Sequence, residues 1–479
     1  MQPRATSRDD PLHPDGPVPL PRAAAAVLAG ACTLQFGPVQ PVLLVPLLLL
    51  AVAVACLFPL LTQRVRVWAR SGFVLTFVAT VAGVGVMSGA ALAVDFGVPA
   101  WAAVLLALVM LVSAATAVWA GPARARTGLV VLLVAFAALT VLTVLRAEIV
   151  IDVEEFLRGG IDALLHGTSP YAITIPSPYD AAGTQAFYGP GVVVDGVVQY
   201  GFPYLPTGLL LDVPAYVLGD PRWMHLAAVL VTTALAWRLA TDRIGRAVAL
   251  LLVCGGTAST VVLCSWVEPL MGLLLALTVL AMRSSRAWVA VPLGLLFASK
   301  QYAVSYAPAL LTVARSRGWR TVWLAAAVGA LVVVPFVVWD PRAFVRSAVE
   351  FQLVQPFRSD AVSLLPGLSQ LLGGLPGWVL EVSPFVGLVV SALVAWRTRP
   401  GPTAFALGVG LSLLVTVLTS KVGFMNYYSF IAAALVLATV TWTTDDPVAT
   451  HDPGEDDSGQ TREPSSQGSR GDRGISLTR

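Results

Sequence analysis

The sequence predicts an all-α fold, a polytopic transmembrane helix bundle, and three observations lead there. Hydrophobic residues make up 57% of the 479-residue chain and charged residues only 12%, where a water-soluble protein carries about 25% charge. The mean hydropathy is +0.78. The apolar residues also fall in long blocks, many of about 20 residues, each enough to cross a hydrocarbon core. Such a composition excludes a disordered, collagen-like or disulfide-rich secreted chain. The net charge of +3 implies no particular partner, and no basic patch suggests nucleic acid. Cys32, Cys56, Cys254 and Cys264 all lie in apolar stretches without metal-site spacing. His13, His166, His225 and His451 are scattered, which argues against a zinc site.

Residues 1–22 are polar and Pro-rich and read as a disordered tail; Asp9, Asp10 and Asp15 before the first apolar stretch do not fit a cleavable signal peptide. Basic clusters at Arg64/Arg66/Arg70, Arg124/Arg126, Arg238/Arg243/Arg246, Arg283/Arg286, Arg315/Arg317/Arg320 and Arg397/Arg399 are placed in the cytoplasm by the positive-inside rule. Between these anchors, a short span over 23–37 turns at Gly37-Pro38 into 40–61. Spans 72–94, 99–120 and 128–146 complete an amino-terminal block, 23–146. A polar outer loop follows over 147–205, with a re-entrant or interfacial hairpin over 206–218. Spans 222–240, 247–265 and 268–282 come next, then 287–299 paired with 302–315, and 321–339. A second outer loop, 340–375, contains an amphipathic interfacial helix over 341–355. Spans 376–396, 402–420 and 427–442 close the region 147–442, and residues 443–479 read as a charged, Gly/Ser-rich disordered tail. The total is about 14 spans with both tails inside and both long loops outside.

The stretch 287–315 is almost continuously apolar but has basic residues at both ends, so a single crossing would place one set outside. Two arms of about 13 residues, each ~20 Å long, keep both ends inside. Their apex, Ser299-Lys300-Gln301-Tyr302, then sits in the outer half of the membrane, where a lysine is costly unless it faces protein, water or an anion.

Candidate chemistry lies on the outer side. Asp152 follows the end of a span, at the membrane boundary, where a carboxylate is placed to take a proton from an acceptor hydroxyl while a donor's lipid tail stays in the bilayer. A solvated loop acid is the alternative, shared with Glu154 and Glu155. Lys300 is one of only two lysines; it is either a cation for an anionic leaving group or a lysine snorkelling from a helix end. Arg358 carries a guanidinium suited to phosphate, and Asp360 is placed to pair with it or to bind sugar hydroxyls. Lys421 and Asn426 are candidates for phosphate or sugar contact, and Tyr427 and Tyr428 offer faces for stacking on a sugar ring; an interfacial aromatic belt is the plainer reading. Glu268, in the outer turn Trp266-Val267-Glu268-Pro269, either lines the same cavity or is ordinary loop. No Gly-rich phosphate loop and no Asp-x-Asp pattern occurs in the outer loops, so neither a nucleotide cofactor nor a metal is expected.

A span, an outer-face Asp152, then Gly167-Thr168-Ser169-Pro170-Tyr171, then Phe202-Pro203-Tyr204-Leu205-Pro206, in that order, resembles the GT-C superfamily of integral-membrane glycosyltransferases. The nearest likeness is to its family 87 type, the polyprenol-phosphate-mannose-dependent mannosyltransferases. Ala298-Ser299-Lys300-Gln301-Tyr302 is similar to the small-residue and lysine turn that follows a Gly-rich helix in that superfamily. The likeness covers roughly 146–440. It departs in one respect: the superfamily's catalytic loop usually follows its first helix, and here five precede it, which leaves its sidedness unchanged. The resemblance implies that Asp152 is the general base. On their chemistry and placement, Lys300, Arg358 and Lys421 are the candidates to hold the donor phosphate, and Tyr171, Tyr204, Glu268, Asp360, Asn426 and Tyr427 the candidates to meet sugar or acceptor. The resemblance also implies transfer of mannose or a related sugar from a polyprenyl-phosphate donor to an extracytoplasmic glycan, glycolipid or protein, at the cell membrane. The alternative is a transporter or flippase of a lipid-linked or small polar substrate, although no internal repeat is evident.

Overall fold

The computed structural model describes residues 17–34, 43–62, 68–284 and 287–442. Most of the expected amino-terminal tail, the whole 443–479 tail, the turn at Gly37-Pro38, and Arg64, Arg66 and Arg286 lie outside the described residues. The described chain is predominantly helical. Four of its helices are long and apolar enough to cross a membrane: Ser71–Asp95, Ala100–Trp119, Pro122–Val144 and Trp319–Trp339. Shorter apolar helices include Leu20–Cys32, Pro402–Leu418 and Met425–Thr441.

Local chemistry sets many of the helix starts. Proline stands in the first turn of helices beginning at Pro122, Pro206, Glu268, Pro341 and Pro402, where its missing N–H costs no hydrogen bond. Asp180, Asp242 and Asp340 cap their helices by accepting from the backbone N–H of Gly183, Gly245 and Ala343.

Two apolar helix classes separate by burial. Pro402–Leu418 and Met425–Thr441 are buried along nearly their whole length and form the centre of the bundle. Trp319–Trp339 is equally apolar but buries only Ala325 and Phe336, leaving Trp323, Leu331 and Val338 exposed. An apolar surface of that extent would drive association in water and fits a lipid bilayer instead.

The bundle has two chemically distinct ends. Helix Glu268–Arg283 has 16 residues and is therefore ~24 Å long. Its Arg283 donates to the Leu239 carbonyl at 2.9 Å, beside the Arg22–Asp242 ion pair of 2.6 Å that joins the first helix to the 240–243 turn. Arg22 also donates to the Thr439 carbonyl near the end of the last helix. The opposite ends of these same helices carry Glu268 and Asn426. Arg22 and Arg283 thus stand at the end of the bundle away from the candidate site.

Three expectations need correction. The stretch 247–265 is not one helix. It breaks at Gly255-Gly256-Thr257 into Arg243–Cys254 and Ala258–Leu263. Gly85 of Ser71–Asp95 packs against this break so closely that an added Cβ would lie 2.6 Å from the Gly256 nitrogen, and the Thr257 N–H is taken by the Thr33 carbonyl instead of its own helix. The segment 206–218 is no hairpin but a single helix, Pro206–Val217, which buries Asp212. The first helix begins earlier than 23 and runs Leu20–Cys32. The expected interruption of 287–315 does occur: Ala290–Phe297 ends, Lys300 adopts an extended backbone, and a 3-10 helix runs Gln301–Ala309 before Leu310–Arg317. Residues 341–353 are helical, with one π turn at Arg346–Glu350. The loop before Pro206 holds helix Asp152–Leu165 and a small antiparallel sheet of Ile175–Pro176, Val197–Val198 and Val193–Val194.

Candidate functional site

Asp152 is the first residue of helix Asp152–Leu165, whose opening turn also carries Glu154 and Glu155. Negative charge there is favoured by the helix dipole. The carboxylate of Asp152 is partly exposed and accepts two phenolic hydrogen bonds, from Tyr179 at 3.2 Å and from Tyr188 at 3.0 Å. Tyr179 in turn accepts from the Asp152 backbone N–H. Loss of surrounding water pushes the carboxyl above the ordinary carboxylate range; the two phenols and the charge of Arg358 pull it partly back. The result is a carboxylate more basic than a solvated aspartate, held at a fixed angle.

Arg358 stands at the rim of this group. Its guanidinium lies 4.5 Å from the ring centres of both Phe187 and Phe424 and is forked onto Asp360 at 2.8 and 2.7 Å. Asp360 is thus a partner of Arg358 and not a separate contact. Arg358 also anchors the second loop through its backbone N–H, which donates to the Lys421 carbonyl at 3.1 Å. The Lys421 ammonium donates to the carbonyls of Leu353 and Gln355, so it ties down the same loop.

Deeper in the bundle lies a second polar group. Lys300 is 4% exposed and its ammonium sits 2.6 Å from Glu268 Oε1, itself in a residue 1% exposed. That burial excludes a snorkelling lysine. Three aromatic rings surround the ammonium: Tyr204 at 4.5 Å, Tyr427 at 5.0 Å and Tyr302 at 5.2 Å. Such faces stabilise a desolvated cation. Asn426 Nδ2 donates to Glu268 Oε1 at 3.1 Å, while Glu268 Oε2 has no partner among the described residues. Removing both charges from water is costly, and the rings and the Asn426 amide offset part of that cost.

Tyr204 connects the two groups. Its ring faces Lys300, and its phenol is held well above its ordinary value, first by burial, then by the Glu268 charge and more weakly by that of Asp152. It stays protonated. The frame around it is rigid. The Pro203 carbonyl accepts from Gln301 and Gln352, each at 2.9 Å, and the Thr207 N–H donates to the Ala298 carbonyl.

The structure therefore brings Asp152, Arg358, Tyr204, Lys300, Glu268, Asn426 and Tyr427 to one end of the bundle. It removes Tyr171. That ring is 1% exposed, packs against Phe202, Phe336 and Phe344, and spends its hydroxyl on the Tyr204 carbonyl at 3.0 Å. Tyr171 supports Tyr204 and is unavailable to a ligand. The sequence reading missed Tyr179 and Tyr188. A signal existed: Ser177-Pro178-Tyr179 repeats Ser169-Pro170-Tyr171 eight positions on, and it is the second copy that reaches Asp152. The buried contact of Asp212 with His225, 3.1 Å between carboxylate and imidazole, was also missed. Among the described residues no group of three or more His, Cys, Asp or Glu side chains is placed to hold a metal ion. No protein family, curated protein or solved structure matches the chain.

Proposed function

We propose that the chain is a membrane-embedded glycosyltransferase that moves mannose or a related sugar from a polyprenyl-phosphate donor to an extracytoplasmic glycan, glycolipid or protein, in keeping with its resemblance to the GT-C superfamily. The carrying observation is the convergence of Asp152, Tyr204, Glu268, Lys300 and Arg358, from five distant segments, on one end of an apolar bundle. In this reading the bundle has about 14 spans, with its arginine-bearing end in the cytoplasm and the site facing outward. Broken helices count as crossings, and the amino-terminal block is an accessory region.

The chemistry follows from the site. Asp152, made more basic by its surroundings, accepts the proton of an acceptor hydroxyl. The oxygen displaces the lipid phosphate from the anomeric carbon with inversion, and the phosphate leaves carrying the bonding electrons. Arg358 has five N–H donors, of which Asp360 engages two, and Lys300 has three, of which Glu268 engages one. The remaining donors are the positive charge offered to the departing phosphate. Tyr204 and Tyr427 supply aromatic faces beside them.

The test is transfer itself. Purified protein in nanodiscs is incubated with radiolabelled polyprenyl-phosphate sugar and a membrane acceptor extract. The chain should move label into product, and Asp152→Asn should lower the rate by roughly 10²- to 10⁴-fold with an unchanged elution profile. Undiminished transfer by that variant removes Asp152 as base. Movement of donor across sealed vesicles with no new glycosidic bond identifies a transporter instead.

A further inference from the structure

At the arginine-bearing end lies a cavity of about 550 Å³, within the roughly 300–1,000 Å³ range of small-molecule sites. Pro122, Arg126 and Leu129 line it from the start of one long apolar helix, Trp237 and Arg238 from the end of a second, and Arg246 from the first turns of a third. We propose that this cavity binds the phosphate head group of an anionic phospholipid.

Three observations carry this. First, three guanidinium groups share one small space, and among the described residues no hydrogen bond or salt bridge engages the side chains of Arg126, Arg238 or Arg246. Asp242, which interacts electrostatically with Arg246, is already forked onto Arg22. Arg126 and Arg238 are exposed and Arg246 half-buried, so water screens their repulsion, and the three together offer phosphate the paired hydrogen bonds that guanidinium makes. Second, Trp237 lies under the Arg246 guanidinium at 5.3 Å, and its indole N–H has no acceptor among the described residues. Its ring forms part of the wall. Third, Leu129 and Ala234 make the remaining wall apolar. The cavity opens where a helix long enough to cross a membrane begins, so it lies at head-group depth with its greasy wall toward the chains. Basic pockets between membrane helices bind anionic head groups by the same means. The site lies at the far end of the bundle from Asp152, and nothing in it depends on sugar transfer.

The experiment is native mass spectrometry of the delipidated full chain offered equal amounts of phosphatidylglycerol and phosphatidylcholine. Phosphatidylglycerol should be retained, and the triple variant Arg126→Gln/Arg238→Gln/Arg246→Gln should retain it at least about tenfold less. Inorganic phosphate is run alongside. If it binds at these arginines while phosphatidylglycerol shows no enrichment, the site serves a soluble anion and the lipid assignment fails. Equal retention of both lipids, or unchanged retention by the triple variant, also overturns the proposal. Should the triple variant not fold, brominated phosphatidylglycerol decides with the arginines intact. The quenching lost in Trp237→Phe should exceed that lost with brominated phosphatidylcholine, and equal losses reject the site.

Discussion

Tyr171 and Tyr179 both end a Ser-Pro-Tyr triplet, yet one props up the loop and the other holds the candidate base. At this scale the function depends on what holds each charge. Tyr188 donates to Asp152 and favours its ionised form. Tyr188→Phe should therefore raise the Asp152 pKa further, and the acid limb of kcat/KM should move to higher pH. The sign is definite because a general base works only when deprotonated. A pH–rate profile checks it, and an unmoved limb would separate Tyr188 from the base. Lys300 and Glu268 make the reverse case, a charged pair almost shut off from water. Lys300→Met should leave Glu268 buried and uncompensated and cost about 3–5 kcal/mol. The double variant Glu268→Gln/Lys300→Met should recover much of that loss. Detergent-phase thermal unfolding measures both, and a double variant no more stable than Lys300→Met alone would refute the coupling.

At the scale of elements, interrupted helices build the site. The break at Ser299–Lys300 lets a lysine leave the helical path and face Tyr204, and the break at Gly255–Thr257 lets Ser71–Asp95 approach backbone to backbone. Both interruptions free N–H or C=O groups that must find partners in a bundle without water. The Thr257 N–H finds the Thr33 carbonyl, and the Ala298 carbonyl finds the Thr207 N–H. Gly85→Ala should force the helices apart and destabilise by roughly 1–3 kcal/mol. Gly83→Ala, on the same helix with nothing within 4 Å of the added carbon, should be neutral or stabilise by up to ~1 kcal/mol through helix propensity. Equal effects of the two on the unfolding midpoint would show that the close approach does not matter.

At the scale of the whole molecule, polarity runs along the bundle axis. Arg22, Asp242 and Arg283 meet at one end, Glu268, Lys300 and Asn426 near the other, and exposed apolar rings cover the peripheral helix Trp319–Trp339. The proposed sidedness is testable by labelling intact cells with a membrane-impermeant thiol reagent. His166→Cys, on the loop of the candidate site, should react from outside, whereas Arg124→Cys should react only after lysis. The native Cys32, Cys56 and Cys254 are buried, and Cys264 is half-buried on the candidate-site side, so both variants are made in a Cys264→Ala background. Reaction of Arg124→Cys in intact cells would invert the bundle and place the site in the cytoplasm.

Sequence alone determined that the chain is helical and apolar, that many of its arginines gather in six short clusters between apolar runs, that 287–315 is interrupted, and that Asp152, Lys300 and Glu268 merit attention. These follow from local quantities: residue hydrophobicity, the length of a run and the cost of a charge inside it. Only tertiary structure decided that Lys300 pairs with Glu268 inside a ring of tyrosines. It likewise decided that Asp360 belongs to Arg358, that Tyr179 displaces Tyr171 from the site, and that 247–265 is broken. Each of those outcomes depends on which distant segment arrives beside a given residue, and neither periodicity nor composition carries that information.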